Sequence, residues 1–134
     1  MGANQLVNHN SRKRVKNMEK RKVAIFAFRG DPMCFIHVLL NSLNLAENGY
    51  GVKLVIEGSA TQLIPGLNEA GNPQHRLWQN VKEKGLVAGV CRACATKTGV
   101  LDACEQQGLS LLGDMSGHPA MSAYLDRGYE LITF

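Results

Sequence analysis

The sequence predicts an α/β fold, a three-layer α/β/α sandwich around a mainly parallel five-stranded sheet. Short apolar segments alternate five times with segments of helical spacing, an order typical of consecutive βα units. The apolar segments are continuous rather than alternating in polarity, as in parallel strands that are buried on both faces. A length of 134 residues fits one domain with its own core, so no second domain is expected.

The five strands are predicted at the continuous apolar runs. These runs are short and lack helical spacing, which distinguishes them from the segments that separate them. The fourth run, LSLLGD, gives the weakest strand signal. The strands are predicted over residues 22–28, 51–58, 86–90, 109–114 and 129–134.

The first helix is predicted to begin after Asp31, which can cap it, with Pro32 in its first turn, and to end near Gly49. Its apolar residues cover more surface than one sheet face requires, so we expect part of this helix to form a subunit interface. Its apolar face is predicted from Ile36, Leu39, Leu40 and Leu43, widened by Phe35, Val38 and Leu45, and its polar stripe from His37, Asn41, Asn44 and Asn48.

The later helices are predicted from the positions of proline and glycine. Pro65 and Gly66 should interrupt a short helical piece, and Gly108 should close the helix that follows Cys91. These helices are placed over residues 60–67, 73–84, 91–107 and 119–127. Their predicted core positions are Leu77, Trp78, Val81, Cys104, Met121, Tyr124 and Leu125.

The positive charge is concentrated at one end of the chain. The net charge is +4, but residues 1–22 hold seven basic residues and one acidic residue, which leaves eight basic and ten acidic residues in 23–134. We therefore predict a basic, disordered tail over residues 1–21 and a single domain over 22–134, and nucleic-acid binding is disfavoured. No apolar run approaches the ~20 residues of a membrane span, and the amino terminus has no apolar signal region, so a cytoplasmic protein is expected.

The segment GLVAGVCRACATKTG, residues 85–99, holds a Cys-x-x-Cys pair directly after the third predicted strand. In an open parallel sheet, reactive groups collect beyond the carboxyl ends of the strands. A helix start there would favour a thiolate, and Arg92 and Lys97 would add to that effect. Cys91 is therefore the predicted nucleophile. In a reducing compartment the cysteines are expected to be free, catalytic or metal-bound rather than paired in structural disulfides.

The order of these features resembles the DsrE/DsrF-like sulfurtransferases, a family that includes the sulfur-relay subunits of the TusBCD complex. The resemblance covers roughly residues 22–134 and rests on KVAIFAF with the GDP loop behind it, VIEG, GVCRAC with Gly99 downstream, and GYELITF. It implies a DsrEFH-like fold and a sulfur-relay function in which Cys91 accepts and passes sulfur as a persulfide. It also implies a trimer or hexamer, with sulfur donor and acceptor proteins or small thiols as partners.

Cys94 leaves the chemistry open. Either it is held away from a loaded Cys91, or it attacks that persulfide, releases sulfide and leaves a disulfide, as in a reductase-like or redox-sensing protein. A second interpretation is a metal-binding module in which Cys34 and His37 complete a four-ligand set with the pair. A third is an oligomeric binding protein without chemistry.

The predicted substrate-binding residues are Arg29, Arg92, Lys97 and His118. His118 can donate to a bound anion or to sulfur, although a capping or solvated histidine has the same local pattern. No credible metal-ligand set lies close together in sequence, so no metal site is predicted. The nucleotide motifs Gly-x-Gly-x-x-Gly and GKS or GKT are absent, so no cofactor is predicted, and whether the protein is an enzyme stays open.

Overall fold

The structure is a computed structural model that describes residues 21–134. Apart from Arg21, the predicted basic tail lies outside the described residues. The strands are β1 (Lys22–Ala27), β2 (Gly51–Ile56), β3 (Val87–Cys91), β4 (Leu111–Leu112) and β5 (Tyr129–Thr133). The helices are α1 (Pro32–Glu47), α2 (Ile64–Leu67), α3 (His75–Glu83), α4 (Arg92–Thr98), α5 (Leu101–Gln106) and α6 (Met121–Asp126), with a 3₁₀ helix at Gly58–Leu63.

All neighbouring strands pair in parallel, in the order β4-β3-β2-β1-β5. Two apolar clusters cover the two faces of this sheet. Alternate residues of β1 divide between them: Ile25 belongs to the larger cluster, with side chains of α1 and α3, and Phe26 packs with Tyr124 of α6 in the smaller one. The predicted three-layer α/β/α fold is confirmed.

The first helix begins as predicted, because Asp31 caps it and its Oδ1 accepts a hydrogen bond from the Met33 N–H at 2.9 Å. Its buried face differs from the predicted one. Leu40, placed in the core by spacing, is exposed, and Ser42 is buried with its hydroxyl donating to the Val38 carbonyl. The buried residues are Phe35, Val38, Leu39, Ser42 and Leu43, and the predicted polar stripe is exposed.

Two predictions about where helices are interrupted are wrong, one at a glycine and one at a proline. Gly99 adopts a left-handed conformation (φ 77°) and ends α4, so the segment after Cys91 forms two helices rather than one. Pro65 does not interrupt its helix, because it lies in the first turn of α2. A backbone N–H there would have no hydrogen-bond partner within the helix, so the proline removes no helical hydrogen bond. Leu125, predicted in the core, is exposed on α6, whereas Trp78, Val81, Cys104 and Tyr124 are buried as predicted.

No helix within residues 21–134 is both long enough and apolar enough to cross a membrane.

Gly89 lies in β3, two residues before Cys91, where the next segment approaches closely. A Cβ at this position would lie 2.6 Å from the Ser110 carbonyl oxygen and 2.8 Å from Leu112 Cγ. We expect Gly89→Ala to lower the free energy of unfolding by about 1–3 kcal/mol, as overpacking does elsewhere. Urea unfolding measures this change. Gly71→Ala is the matched control, because a Cβ there meets nothing within 4 Å; an equal loss in both variants would contradict the prediction.

Candidate functional site

Cys91 occupies the junction between the sheet and a helix. It is the last residue of β3 and the N-cap of α4, and its Sγ accepts a hydrogen bond from the Cys94 N–H at 3.4 Å. Its side chain is fully buried, whereas Cys94 is half-buried one turn further along the helix. The Cys-x-x-Cys spacing therefore places both thiols on the same side of the α4 start, with Cys94 nearer to solvent.

His118 reaches the same point from the loop that follows β4. Backbone hydrogen bonds link Met115 and His118 in both directions, at 2.7 and 2.9 Å, and close this loop. The Ala93 N–H donates to the Gly117 carbonyl at 2.9 Å and fastens the loop to α4. As a result, His118 Nδ1 lies 3.1 Å from Cys91 Sγ and 3.8 Å from Cys94 Sγ. The predicted residue His118 is thus in contact with the cysteine pair.

Glu57 completes the group and was not predicted as a functional residue. It directly follows β2, the strand beside β3, and its side chain is buried. Burial raises the pKa of the Glu57 carboxyl, while the nearby His118 and a hydrogen bond with Cys91 act in the opposite direction. The available sequence signal was an acidic residue at the end of a buried apolar strand, on the edge of the sheet where reactive groups collect.

The surroundings of Cys91 keep its sulfur protonated at rest. Burial raises the pKa of Cys91 to about 12; the Cys94 backbone N–H lowers it, and the Cys94 thiol and Glu57 raise it further. The helix start acts in the predicted direction through the Cys94 N–H, but burial outweighs it and neither Arg92 nor Lys97 contributes, so the predicted resting thiolate is wrong. Both basic side chains are exposed, and the thiol is enclosed by protein. Deprotonation of Cys91 requires a base within reach, and His118 lies at that distance.

Arg29 and Cys34 lie in a different part of the structure. With His37, Thr133 and Phe134 they line a separate cavity of about 450 Å³. The potential metal-ligand group within residues 21–134 that contains Cys91 and Cys94 includes neither Cys34 nor His37. The predicted four-ligand set with those two residues is therefore wrong, because the loop and helix that follow β1 present them elsewhere.

A cavity of about 440 Å³ adjoins the site. Glu57 and His118 lie in its wall, and most of the remaining lining is apolar. The other lining residues are Phe28, Met115, Pro119, Met121 and Ser122. This cavity offers a small molecule or a protruding side chain an approach to the imidazole beside Cys91.

Four side chains each bring one potential ligand atom to the site, and these four atoms all lie within 4.8 Å of one another. The side chains are those of Glu57, Cys91, Cys94 and His118. The two thiols provide a nucleophile and a second sulfur, the imidazole provides a proton acceptor, and the carboxyl group adds a buried oxygen. Thiol exchange assisted by histidine and coordination of a thiophilic cation are the two kinds of chemistry that this set supports.

Comparison with known proteins relates this chain to a family. A family model described as the DsrE/DsrF-like family matches residues 22–134. An uncharacterized protein of Methanocaldococcus jannaschii is 33% identical over 97 residues, which cover 72% of this chain and 77% of that protein. An uncharacterized protein of Archaeoglobus fulgidus is 50% identical over 48 residues, which cover 36% of this chain and 77% of that protein.

No solved structure matches. The family match supports a sulfur-relay type of role in general terms. Because the family model spans every described element and both cysteines of the pair, the chain belongs to the DsrE/DsrF-like family.

Proposed function

We propose that this protein is a cytoplasmic sulfur-relay protein, with sulfurtransferase activity, that accepts sulfur as a persulfide on Cys91 and passes it to an acceptor. The observation that carries the proposal is the 3.1 Å separation of Cys91 Sγ and His118 Nδ1 at the carboxyl end of the parallel sheet. A buried thiol with a raised pKa reacts only when its proton is removed, and this imidazole is positioned to remove it.

In the loading step, His118 accepts the proton of the Cys91 thiol as the thiolate attacks the outer sulfur of a donor persulfide. A bond forms between Cys91 Sγ and that outer sulfur, and the bond between the two donor sulfurs breaks. The donor leaves as a thiolate and takes the proton from His118. The products are a Cys91 persulfide and a donor thiol, so the reaction needs no external oxidant or reductant.

The unloading step follows the same exchange chemistry in reverse. His118 accepts the proton of an acceptor thiol as the resulting thiolate attacks the outer sulfur of the Cys91 persulfide, and Cys91 leaves as the thiolate, which takes that proton from His118. Donor and acceptor are proteins or small thiols that bring a sulfur into the site. The adjoining cavity, with Met115 at its exposed rim, suits a partner that presents a cysteine among apolar side chains.

Cys94 acts in this proposal as the partner thiol. Its sulfur and that of Cys91 are within 4.8 Å, and both cysteines are unpaired. If Cys94 attacks the inner sulfur of a loaded Cys91, a disulfide forms and hydrogen sulfide leaves, which discharges the carrier unproductively. The helix position of Cys94, one turn beyond Cys91, separates the two sulfurs by more than a disulfide bond length until α4 adjusts.

We assign exposed side chains near the site to partner recognition and others on α1 to assembly. Arg92 and Lys97 are exposed on α4 beside the site, where they can bind an acidic surface on a donor or acceptor. Arg29, at the separate cavity, would contact a partner only if the interface extends across the ends of β1 and β5. Met33, in the first turn of α1, and Leu40, near the middle of that helix, are exposed, and we assign them to contacts within a homotrimer or hexamer.

Intact-mass spectrometry after incubation with a persulfide donor tests the function. The reduced protein, treated with a metal chelator, should gain the mass of one sulfur atom, and fragmentation should place that atom on Cys91. The gain should disappear on addition of a reducing thiol. A reduced wild-type protein that gains no sulfur, or gains it only on Cys34, would contradict the proposal.

A further inference from the structure

We propose that Glu57, Cys91, Cys94 and His118 form a binding site for one zinc ion. The zinc site concerns a resident or regulatory cation rather than a transferred atom, and only its consequence for sulfur loading rests on the proposed function. It also differs from the prediction made from the sequence, which was that no metal is bound, with Cys34, His37 and the cysteine pair as the alternative ligand set. Three segments supply the ligands, each at the carboxyl end of a strand: β2, β3 and β4.

The separations of the ligand atoms are close to those of a tetrahedral site. Zinc bonds of about 2.3 Å to sulfur and about 2.0–2.1 Å to nitrogen or oxygen place neighbouring ligand atoms roughly 3.3–3.8 Å apart. The histidine Nδ1 lies 3.1 Å from Cys91 Sγ and 3.8 Å from Cys94 Sγ, and all four atoms lie within 4.8 Å of one another. Zinc binding would bring these four atoms from this spacing to the tetrahedral separations around one centre.

The ligand types favour zinc over harder cations. Two thiolates and an imidazole are borderline-soft ligands that magnesium and calcium do not prefer, and a single carboxylate is an accepted fourth ligand for zinc. Sulfur, nitrogen and oxygen atoms from four side chains complete a tetrahedral shell without water. Such a closed shell is typical of a structural or storage site rather than an open catalytic one.

The Glu57 carboxyl group is an independent indication of a cation. It is 6% exposed, and within residues 21–134 it forms no ion pair with lysine or arginine. An ionised carboxylate that is buried without a lysine or arginine partner is costly, and natural proteins pair such groups or use them to hold a metal. Its neighbours here are two thiols and an imidazole, which are themselves metal ligands.

Zinc coordination would compete with sulfur loading, because both use Cys91 and His118. A bound cation would draw charge from the thiolate and lower its nucleophilicity, and it would fix His118 as a ligand rather than a base. Zinc binding would therefore hold the site in a form that neither loads sulfur nor forms the Cys91–Cys94 disulfide. Removal of the ion would release both thiols, so availability of zinc would control entry into the relay.

Zinc competition titration of the reduced full chain against a colorimetric chelator tests the site. One ion per chain is expected, and Cys94→Ser and His118→Ala should each weaken binding by at least about tenfold, since each removes a ligand. Cobalt substitution should give the intense d–d absorption of a tetrahedral site and a thiolate charge-transfer band, which Cys94→Ser reduces. Cys34→Ser and His37→Ala are matched controls from the separate cavity and should bind zinc as the wild type does.

Glu57→Gln tests the fourth ligand, and Glu69→Gln, at an exposed carboxyl, is its control. Weaker zinc binding in the first variant alone supports the assignment; equal affinity in both would overturn the four-ligand site. Wild-type protein that binds no zinc, or binds it equally after Cys94→Ser, would overturn the proposal altogether. Sulfur loading is measured under chelator, so a protein that loads sulfur without binding zinc would refute only this inference.

Discussion

Cys91→Ser is expected to abolish the sulfur adduct, while Cys94→Ser retains it and makes it longer-lived. A serine hydroxyl at position 91 stays protonated even beside His118 and cannot form a stable persulfide equivalent, so no sulfur mass should be added there. Without the Cys94 thiol, the loaded Cys91 loses the neighbour that would release sulfide and form a disulfide. Intact-mass time courses after removal of the donor measure both outcomes.

Cys34→Ser is the control for this pair, since it removes a half-buried thiol that lies outside the site. It should load and discharge as the wild type does. An adduct that persists after Cys91→Ser and maps to Cys94 would reverse the two roles, since Cys94 is the more accessible sulfur. Loss of loading in both single variants would instead indicate that sulfur enters through the pair as a unit.

His118→Ala is expected to slow sulfur loading of Cys91 by about 10²–10⁴-fold, the usual contribution of a positioned general base. The effect should be large because burial raises the pKa of Cys91 to about 12, so few thiols ionise without assistance. The rate of mass increase, followed by rapid quenching under chelator, measures it. The end point should still be one sulfur per chain, since the variant alters the rate and leaves the sulfur acceptor in place.

The matched control is His37→Ala, which removes an exposed histidine from α1. It should load at the wild-type rate. Equal rates for all three proteins would show that the proton leaves Cys91 by another route, with the Glu57 carboxyl group, which hydrogen-bonds to Cys91, as the next candidate base. A circular dichroism spectrum matching the wild type confirms that any loss of rate in the His118 variant is not a loss of fold.

The parallel sheet was predictable because its signals are local. Continuous apolar runs mark strands buried on both faces, and the Asp31–Pro32 pair marks the start of α1. The order β4-β3-β2-β1-β5 was not predictable, since it depends on pairing between residues distant in sequence, such as Lys22 with both Gly51 and Tyr129. The split at Gly99 was missed because apolar residues keep helical spacing across a glycine that ends the helix.

The site was predictable where the chain itself places residues beside one another. Cys91 and Cys94 are three residues apart at a strand end, and their proximity follows from that spacing. His118 was a candidate from its loop, but its 3.1 Å contact depends on how that loop is fastened to α4. Glu57 and the raised pKa of Cys91 escaped prediction for one reason: both depend on burial, which packing of distant segments determines.

The shortness of β4 determines how firmly the histidine is held. Only two residue pairs, Val90 with Leu111 and Cys91 with Leu112, join this edge strand to the sheet, whereas β1 pairs with β2 over six residues. Segments with few protected amides open at a lower free-energy cost than the centre of a fold. Local unfolding of this edge would withdraw the imidazole from the sulfurs while the central strands stay intact, so amide exchange at Leu111 and Leu112 would report how often the thiols lose their base.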